Sequence, residues 1–177
     1  AEKRLKEALD ALPANPTLLT LLAGFYTRHD RPAEAVEVME QMLAVRPRDL
    51  GLYAQILRYY LQEKRDESAD TLLQRGRKIF EDGPEFDIVV GQVAAREHNY
   101  TMAEDALKRA TTADPANLDA RILLAGVYLT TAREDEAVKT LLAIETFLRD
   151  PDQQYAWRLA VGGVYMQLRR WNDAVEQ

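Results

Sequence analysis

The amino-acid sequence predicts an all-α solenoid, an array of short antiparallel helices that stack side by side. Three observations predict it: a fixed repeat length, apolar residues at helical spacing, and turn signals where the repeat requires them. The repeat shows in alanines at intervals of 34 residues, the last interval being 37: Ala1, Ala35, Ala69, Ala103, Ala137 and Ala174. Such a period is typical of solenoids, in which each repeat buries its apolar surface against its neighbours.

Each repeat contains two stretches whose apolar residues recur every three or four positions. One repeat illustrates both stretches: Leu19, Leu22, Ala23 and Tyr26, then Ala35, Met39 and Met42. This spacing places the apolar side chains on one face of each helix. Helices shorter than ~12 to 15 residues are marginal alone in water, so we expect stacking between repeats to provide most of their stability.

Helix boundaries are marked by capping residues and prolines. Asn15 and Asp30 are predicted to cap two successive helices, with Pro16 and Pro32 in their first turns. Later boundaries are marked by two dipeptides: Gly83-Pro84 and Asp114-Pro115. Arg133 falls in another turn between helices, where we expect a solvent-exposed side chain.

The composition predicts a folded, water-soluble chain and argues against two classes of partner, membranes and nucleic acids. The 177 residues are 47% hydrophobic and 29% charged, with a net charge of -6 and no cysteine. No apolar run approaches the ~20 residues of a membrane helix, so we expect no direct membrane insertion. The acidic balance argues against nucleic acid as a partner, because neutralising phosphates requires an excess of Lys and Arg. Localisation stays open between the cytoplasm and a bacterial periplasm, since a chain without cysteine suits either.

The repeated residues resemble the tetratricopeptide repeat family over essentially the whole chain. One repeat supplies Leu19, Leu22, Ala23, Tyr26, Ala35, Met39, Met42 and Pro47. Another supplies Val90, Gly91, Ala103, Leu107, Ala110 and Pro115. The chain departs from the pattern at Leu57, where a small residue is usual, at Glu81 and Arg149, where proline is usual, and at Pro151, which comes two places late. The resemblance implies a right-handed superhelix of antiparallel helix pairs.

In the frame of this family the chain divides into six segments that together form one solenoid domain. They are 1–15, the second helix of a truncated repeat; 16–49; 50–83, a degenerate repeat; 84–117; 118–154, a longer repeat; and 155–177, a truncated repeat. We therefore expect the chain to be cut from a longer array. Because Leu5, Leu9 and Leu12 would then lack the first helix of their repeat, we expect end-to-end self-association.

No catalytic residue, cofactor or metal site is predicted. The chain has no cysteine nucleophile, a single serine at Ser68, and two histidines, His29 and His98. Both histidines fall near turns between helices, where the helix C-terminal dipole favours a partly positive imidazole. Neither has a His or carboxylate partner at the spacing of a metal site, so we interpret both as solvated side chains.

Two further features are interpreted structurally. The acidic run from Glu134 to Glu136 opens a helix, where negative charge complements the N-terminal dipole. Gly162 and Gly163 lack the flanking residues of a phosphate-binding loop, and we expect them to permit close approach between helices.

In the resembled family the first helix of each pair lines a concave groove, and the matching positions form the candidate binding site of this chain. They are Thr17, Thr20, Gly24, Arg28, Ala54, Arg58, Gln62, Ile88, Gln92, Arg96, Ile122, Gly126 and Gln167. Family members that hold a C-terminal carboxylate begin with Lys and Asn at two of these positions, where this chain has Thr20 and Gly24. That carboxylate clamp is therefore absent.

The three groove arginines allow two interpretations. Arg28, Arg58 and Arg96 could orient acidic groups of a peptide or helix laid in the groove. Alternatively, they pair with neighbouring carboxylates such as Glu63 or Glu97, as surface arginines commonly do.

The resemblance favours a non-enzymatic scaffold that binds a peptide or partner protein, possibly an acidic one, through the concave groove. One alternative is the scaffold region of a bacterial envelope protein that exports exopolysaccharide, since similar degenerate arrays occur in such proteins. A second alternative is the regulatory arm of an enzyme whose catalytic domain lies outside this chain.

Overall fold

The computed structural model describes residues 1–81 and 83–168, and these residues form ten α-helices and no strand. The helices are α1 Glu2–Ala11, α2 Pro16–Arg28, α3 Pro32–Val45, α4 Leu50–Gln62, α5 Asp66–Ile79, α6 Glu85–Arg96, α7 Tyr100–Ala113, α8 Leu118–Thr130, α9 Glu134–Leu142 and α10 Pro151–Gln167. The chain divides into two compact units, Ala1–Glu81 and Asp82–Gln177. We call them the N-terminal half, which contains α1 to α5, and the C-terminal half, which contains α6 to α10.

Of the two predicted helix caps, Asn15 and Asp30, only Asn15 caps a helix. The Asn15 side-chain oxygen accepts hydrogen bonds from the backbone N–H groups of Thr17 and Leu18, at 3.0 and 3.1 Å, so its predicted role as the N-cap of α2 is confirmed. The prediction for Asp30 is wrong. Arg31 occupies the N-cap position of α3, and its side chain makes no capping hydrogen bond. Asp30 lies in the preceding turn instead, in the left-handed region with φ 54°.

The turns within helix pairs repeat one backbone conformation. Asp30, Lys64, His98 and Ala132 have φ angles of 54°, 53°, 59° and 58°, and they follow one another at 34-residue intervals. In each turn the backbone N–H of the residue after the left-handed one donates to the carbonyl oxygen five residues before it. An example is the bond from the Arg133 N–H to the Tyr128 oxygen, at 2.8 Å. This bond is typical of the Schellman motif that ends helices. The sequence repeat is therefore also a repeat of the backbone.

Small and large residues of the repeat fill the core as predicted. Ala35, Ala69, Ala103 and Ala137 are all buried, with exposed fractions of 3% or less. The column of larger apolar residues is buried as well: Leu22, Ile56, Val90, Leu124 and Val161.

Gly91 lies at a close contact between α6 and α7. A Cβ at this position would stand 2.5 Å from Cγ of Leu107, which is fully buried on α7. The side chain of Leu107 therefore occupies the space that any residue other than glycine would need.

An irregular segment connects α9 to α10 in the C-terminal half. It includes a 3-10 helix, Glu145–Phe147, and buries Ile144 and Leu148 on either side of it. The indole N–H of buried Trp157 donates to the Leu141 carbonyl at 2.8 Å, which ties α10 to the end of α9. Because Asp150 caps the helix and Pro151 is its first residue, α10 begins four residues before position 155, where the sequence frame starts its last segment.

Candidate binding clefts

A cleft lies between α2 and α4 in the N-terminal half, and α3 contributes its floor. Its volume is about 510 Å³. Its lining residues are Thr20, Ala23, Gly24, Thr27, Arg28, Met39, Met42, Arg46, Asp49, Leu52 and Gln55. We call it the Arg28 cleft. It brings together three predicted groove residues, Thr20, Gly24 and Arg28.

A smaller cleft of about 190 Å³ adjoins the first and shares Thr27, Met39 and Gln55 with it. Its lining residues are Thr27, Asp30, Pro32, Ala35, Val36, Met39, Gln55, Arg58, Tyr59 and Gln62. We call it the Arg58 cleft. Of the predicted groove residues, Arg58 and Gln62 line this cleft, whereas Thr17 and Ala54 line neither.

Several lining residues were missed by sequence reasoning. The spacing placed Met39 on the apolar face of its helix and not in the groove, yet it lines both clefts. Gln55 and Tyr59 lie four residues apart on α4, one position after the predicted residues Ala54 and Arg58. A groove frame advanced by one residue on this helix would have found them.

Arg28 folds back along its own helix into the Arg28 cleft. Its Nη1 lies 3.8 Å from the place where a Cβ of residue 24 would stand, so the guanidinium lies over Gly24. Within residues 1–81 and 83–168, Arg28 and Arg58 form no ion pair. Pairing of Arg58 with Glu63, one of the two interpretations from the sequence, is thus not found in the described part of the chain.

The other charged groups of the Arg28 cleft have partners. Arg46 Nη1 lies 3.4 Å from Asp49 Oδ2. The same Asp49 carboxylate accepts a hydrogen bond from the Leu52 N–H at 3.2 Å and caps α4. Asp49 is therefore engaged by Arg46 and by the start of α4, and Arg28 is the one arginine of the cleft lining that has no ion pair among the described residues.

In the C-terminal half the predicted groove residues lie on α6, α8 and α10, and all are exposed or half-buried. They are Ile88, Gln92, Arg96, Ile122, Gly126 and Gln167. Helix α8 packs against both α6 and α10. A Cβ at Gly126 or Gly163 would meet no heavy atom within 4 Å, so the expectation that Gly163 permits close helix approach is wrong. The single groove from Thr17 to Gln167 stays a prediction.

An ionic cluster that sequence reasoning missed joins α1 to α2 and α3. Arg31 Nη1 lies 2.7 Å from Glu2 Oε2, its Nε lies 2.7 Å from Glu34 Oε1, and its guanidinium lies 4.6 Å from the Tyr26 ring centroid. Lys6 also pairs with Glu2, at 2.9 Å. Hydrogen bonds from Lys6 and then Arg31 lower the pKa of Glu2 to about 2.

The same cluster recurs 102 residues later, which equals three repeats of 34. Arg133 Nη1 lies 2.6 Å from Glu104 Oε2 and its Nε lies 2.9 Å from Glu136 Oε1, while its guanidinium lies 4.5 Å from the Tyr128 ring centroid. Lys108 pairs with Glu104 at 2.6 Å, and its hydrogen bond is the main cause that lowers the pKa of Glu104. The expectation that Arg133 is simply solvated is therefore wrong.

The residues considered for chemistry have structural contacts. His29 Nδ1 lies 2.8 Å from the Phe25 carbonyl oxygen, and His98 Nδ1 lies 2.9 Å from the Tyr100 hydroxyl. Ser68 and Glu40 are both among the residues that line a separate cleft. In the part of the chain that the structure describes, no group of three or more His, Asp or Glu residues could hold a metal ion. No helix among those residues has the length and hydrophobicity needed to cross a membrane.

Similar solved structures share this helical architecture. MamA is 16% identical, with a TM-score of 0.53 over 88% of this chain and 89% of that chain. YrrB, whose structure is described as a TPR protein with an unusual peptide-binding site, is 15% identical, with a TM-score of 0.51 over 99% and 89%. PilW, a type IV pilus biogenesis factor, is 17% identical, with a TM-score of 0.56 over 97% and 79%. These likenesses confirm the predicted all-α solenoid class.

The family assignment comes from the sequence. No curated protein matches the chain. A family model described as tetratricopeptide repeat matches residues 1–58 and 94–160, which is more than half of the chain. The chain belongs to the tetratricopeptide repeat family.

Proposed function

We propose that the chain is a non-enzymatic interaction scaffold that binds an extended, acidic segment of a partner protein in the Arg28 and Arg58 clefts. The family supports the general class, because its solenoids present surfaces to protein partners. A peptide-binding site is described for YrrB, which shares the fold. The finer proposal rests on the clefts of the N-terminal half.

The observation that carries the proposal is the Arg28 guanidinium, which lies over Gly24 in the cleft without an ion pair among the described residues. Arg28 is exposed at the cleft, so its guanidinium is accessible to a carboxylate of a bound segment, with which it can form two charge-assisted hydrogen bonds. Arg58 adds a second cation in the adjoining cleft. Two such groups favour a segment with more than one acidic side chain.

The apolar floor gives the same segment a second source of affinity. Met39 is half-buried and Met42 is buried beneath the Arg28 cleft, and flexible thioether side chains adapt to irregular apolar partners. Gln55 stands on the wall, with its side-chain N–H donated to the Gly51 carbonyl at 3.2 Å. Its amide oxygen accepts no hydrogen bond from the described residues and can accept one from the N–H of a bound peptide.

The length of α3 sets the length of the segment. The α3 residues that line the two clefts extend from Pro32 to Met42. At a rise of about 1.5 Å per residue this stretch is about 15 Å long, which matches about five residues of extended chain. A short linear motif therefore fits better than a folded domain.

The test is selection of linear peptides from a random displayed library with the 177-residue chain as bait. We expect enrichment of sequences with Asp or Glu beside apolar residues. The Arg28→Ala and Arg58→Ala double variant should bind the selected peptides about tenfold or more weakly, since a hydrogen bond to a charged group contributes about 1.5 to 3 kcal/mol. Arg4→Ala, an exposed arginine on α1, is the matched control for the loss of charge.

Either of two binding results would contradict the proposal. One is a selected set without acidic enrichment. The other is unchanged affinity in the double variant while the melting temperature stays at the parent value. A large fall in the melting temperature of the double variant would also count against the proposal, because it would show that the two arginines stabilise the fold and are not reserved for binding.

A further inference from the structure

Helix α10 carries three of the most exposed large apolar side chains of the described residues. Tyr155 is 66% exposed, Leu159 is 59% exposed and Met166 is 52% exposed. Their spacings of four and seven residues place them within about 40° of one another around the helix axis. Because exposed apolar residues are usually scattered, a stripe of three on one helix face needs an explanation.

Helix α8 extends this stripe into a broader face. It packs against α10 and exposes Ile122, with 38% of the residue accessible. Gly126 and Gly163, the glycines farther along α8 and α10, have open space where a side chain would stand. We define the apolar face as Ile122, Tyr155, Leu159 and Met166, with these two glycines leaving room between the larger side chains.

An acidic rim lies one turn before the apolar face. A cleft of about 450 Å³ brings together the first turns of α8 and α10, and its lining includes Asp114, Asp119 and Asp152 and no basic residue. Asp114 accepts hydrogen bonds from the Ala116 N–H and from the Asn117 side chain, at 3.1 and 3.2 Å. Asp119 and Asp152 form no ion pair within the described residues.

The rim aspartates share helix faces with the apolar residues. Asp119 precedes Ile122 by three residues, and Asp152 precedes Tyr155 by three residues, so each pair lies on one side of its helix. A partner that covers the apolar face therefore meets negative charge at the end where α8 and α10 begin. Arg158 borders the stripe on its other flank and is the nearest opposing charge on α10.

We propose that the apolar face binds an amphipathic helix of a partner protein that carries Lys or Arg at the end facing the acidic rim. A helix satisfies its own backbone hydrogen bonds, whereas an extended peptide would lay unpaired N–H and C=O groups on a surface made of apolar side chains and glycine. The distance from Tyr155 to Met166 is about 16 Å along α10, which corresponds to about three turns of the partner helix. The acidic rim favours such a basic partner over an anionic membrane surface.

The probe is a displayed library of 18-residue helical peptides with leucine fixed at positions 4, 8, 11 and 15 and with the first and last three positions randomised. The bait is the whole chain. We expect enrichment of Lys or Arg at one end of the selected peptides. Tyr155→Ala with Leu159→Ala should lower their affinity about tenfold or more. Phe147→Ala removes an apolar residue that is 49% exposed elsewhere in the same half, and this matched control should leave binding unchanged.

A charge exchange tests the rim. Asp119→Lys with Asp152→Lys should weaken the basic peptide and restore binding to a version whose end carries Glu. No enrichment over beads without bait, selected peptides that lack basic ends, or binding that survives loss of Tyr155 and Leu159 would overturn the proposal. Light scattering tests whether a second copy of the chain covers the apolar face instead. If the chain forms dimers that Tyr155→Ala with Leu159→Ala abolishes, the face binds a second copy and the partner-helix proposal is wrong.

Discussion

The N-terminal and C-terminal halves share their supporting contacts and differ in their exposed surfaces. The ionic cluster around Arg31 has a copy around Arg133, and the left-handed turn at Asp30 has a copy at Ala132. Their exposed surfaces differ. In the Arg28 cleft an arginine without an ion pair among the described residues lies near two methionines, whereas the exposed face of α10 is apolar and bordered by aspartates. Contacts that repeat serve stacking of helix pairs, so the surfaces that do not repeat are where a partner is expected.

The largest expected effect concerns two glycines of the C-terminal half. Gly91→Ala should lower the free energy of unfolding by about 1 to 3 kcal/mol, because a Cβ would stand 2.5 Å from Leu107 Cγ in a packed core. Gly126→Ala is the matched variant, and it should raise the free energy of unfolding by roughly 0.5 to 1 kcal/mol, because its Cβ enters open space within a helix. Urea unfolding measures both, and effects of the same sign would contradict the assignment of Gly91 to a close contact and Gly126 to an open surface.

The ionic clusters predict a matched acid sensitivity in the two halves. The pKa of Glu2 falls from its ordinary 4.5 to about 2, and the pKa of Glu104 is lowered as well. A carboxyl group whose pKa is lower in the folded chain than in the unfolded chain stabilises the fold at any pH above the unfolded pKa. For Glu2 this stabilisation is lost as the pH falls from about 4.5 toward 2. Glu2→Gln and Glu104→Gln should each reduce the fall in melting temperature between about pH 6 and pH 3.

Glu37→Gln is the control for this pH series, since Glu37 is exposed and forms no ion pair within residues 1–81 and 83–168. If Glu37→Gln changes the pH dependence as much as Glu2→Gln does, general charge and not the cluster determines the acid sensitivity.

The smallest effect separates two equivalent turns. Ala132→Gly should stabilise the chain by roughly 0.5 to 1 kcal/mol, because alanine is strained at φ 58°. Asp30→Gly, in the corresponding turn of the N-terminal half, should gain less, since aspartate adopts this conformation more readily. Thermal unfolding of the two variants side by side gives the comparison, and an equal or larger gain at residue 30 would count against it.

Sequence periodicity predicted the parts of the fold that repeat. The burial of Ala103 and the cap at Asn15 follow from spacing and local residue preferences. The pairing of Arg133 with Glu104 spans 29 residues and becomes visible only when helices stack. Sequence reasoning placed Arg28 in a groove, yet its position over Gly24 depends on space that only the packed helices define.

The exposed stripe of α10 shows a different limit of sequence reasoning. Gln167 is the residue of this helix among the predicted groove residues, whereas Tyr155 stood at the start of a segment and was not singled out. The helix begins at Pro151, one turn earlier, and this extra turn brings Asp152 and Tyr155 onto the face of Leu159. The irregular connection 143–150 is longer than the connection 114–117 between α7 and α8, so it shifts the start of α10 in a way that a fixed period does not capture.

The most direct test of the difference between the halves is a titration of both selected peptides against two variants of the chain. We expect Arg28→Ala with Arg58→Ala to weaken only the binding of the acidic linear peptide, by about tenfold or more. We expect Tyr155→Ala with Leu159→Ala to weaken only the binding of the basic helical peptide, by a similar factor of about ten. Calorimetry provides all four affinities. A variant that weakens both peptides equally would contradict the claim that the two halves present two distinct binding surfaces.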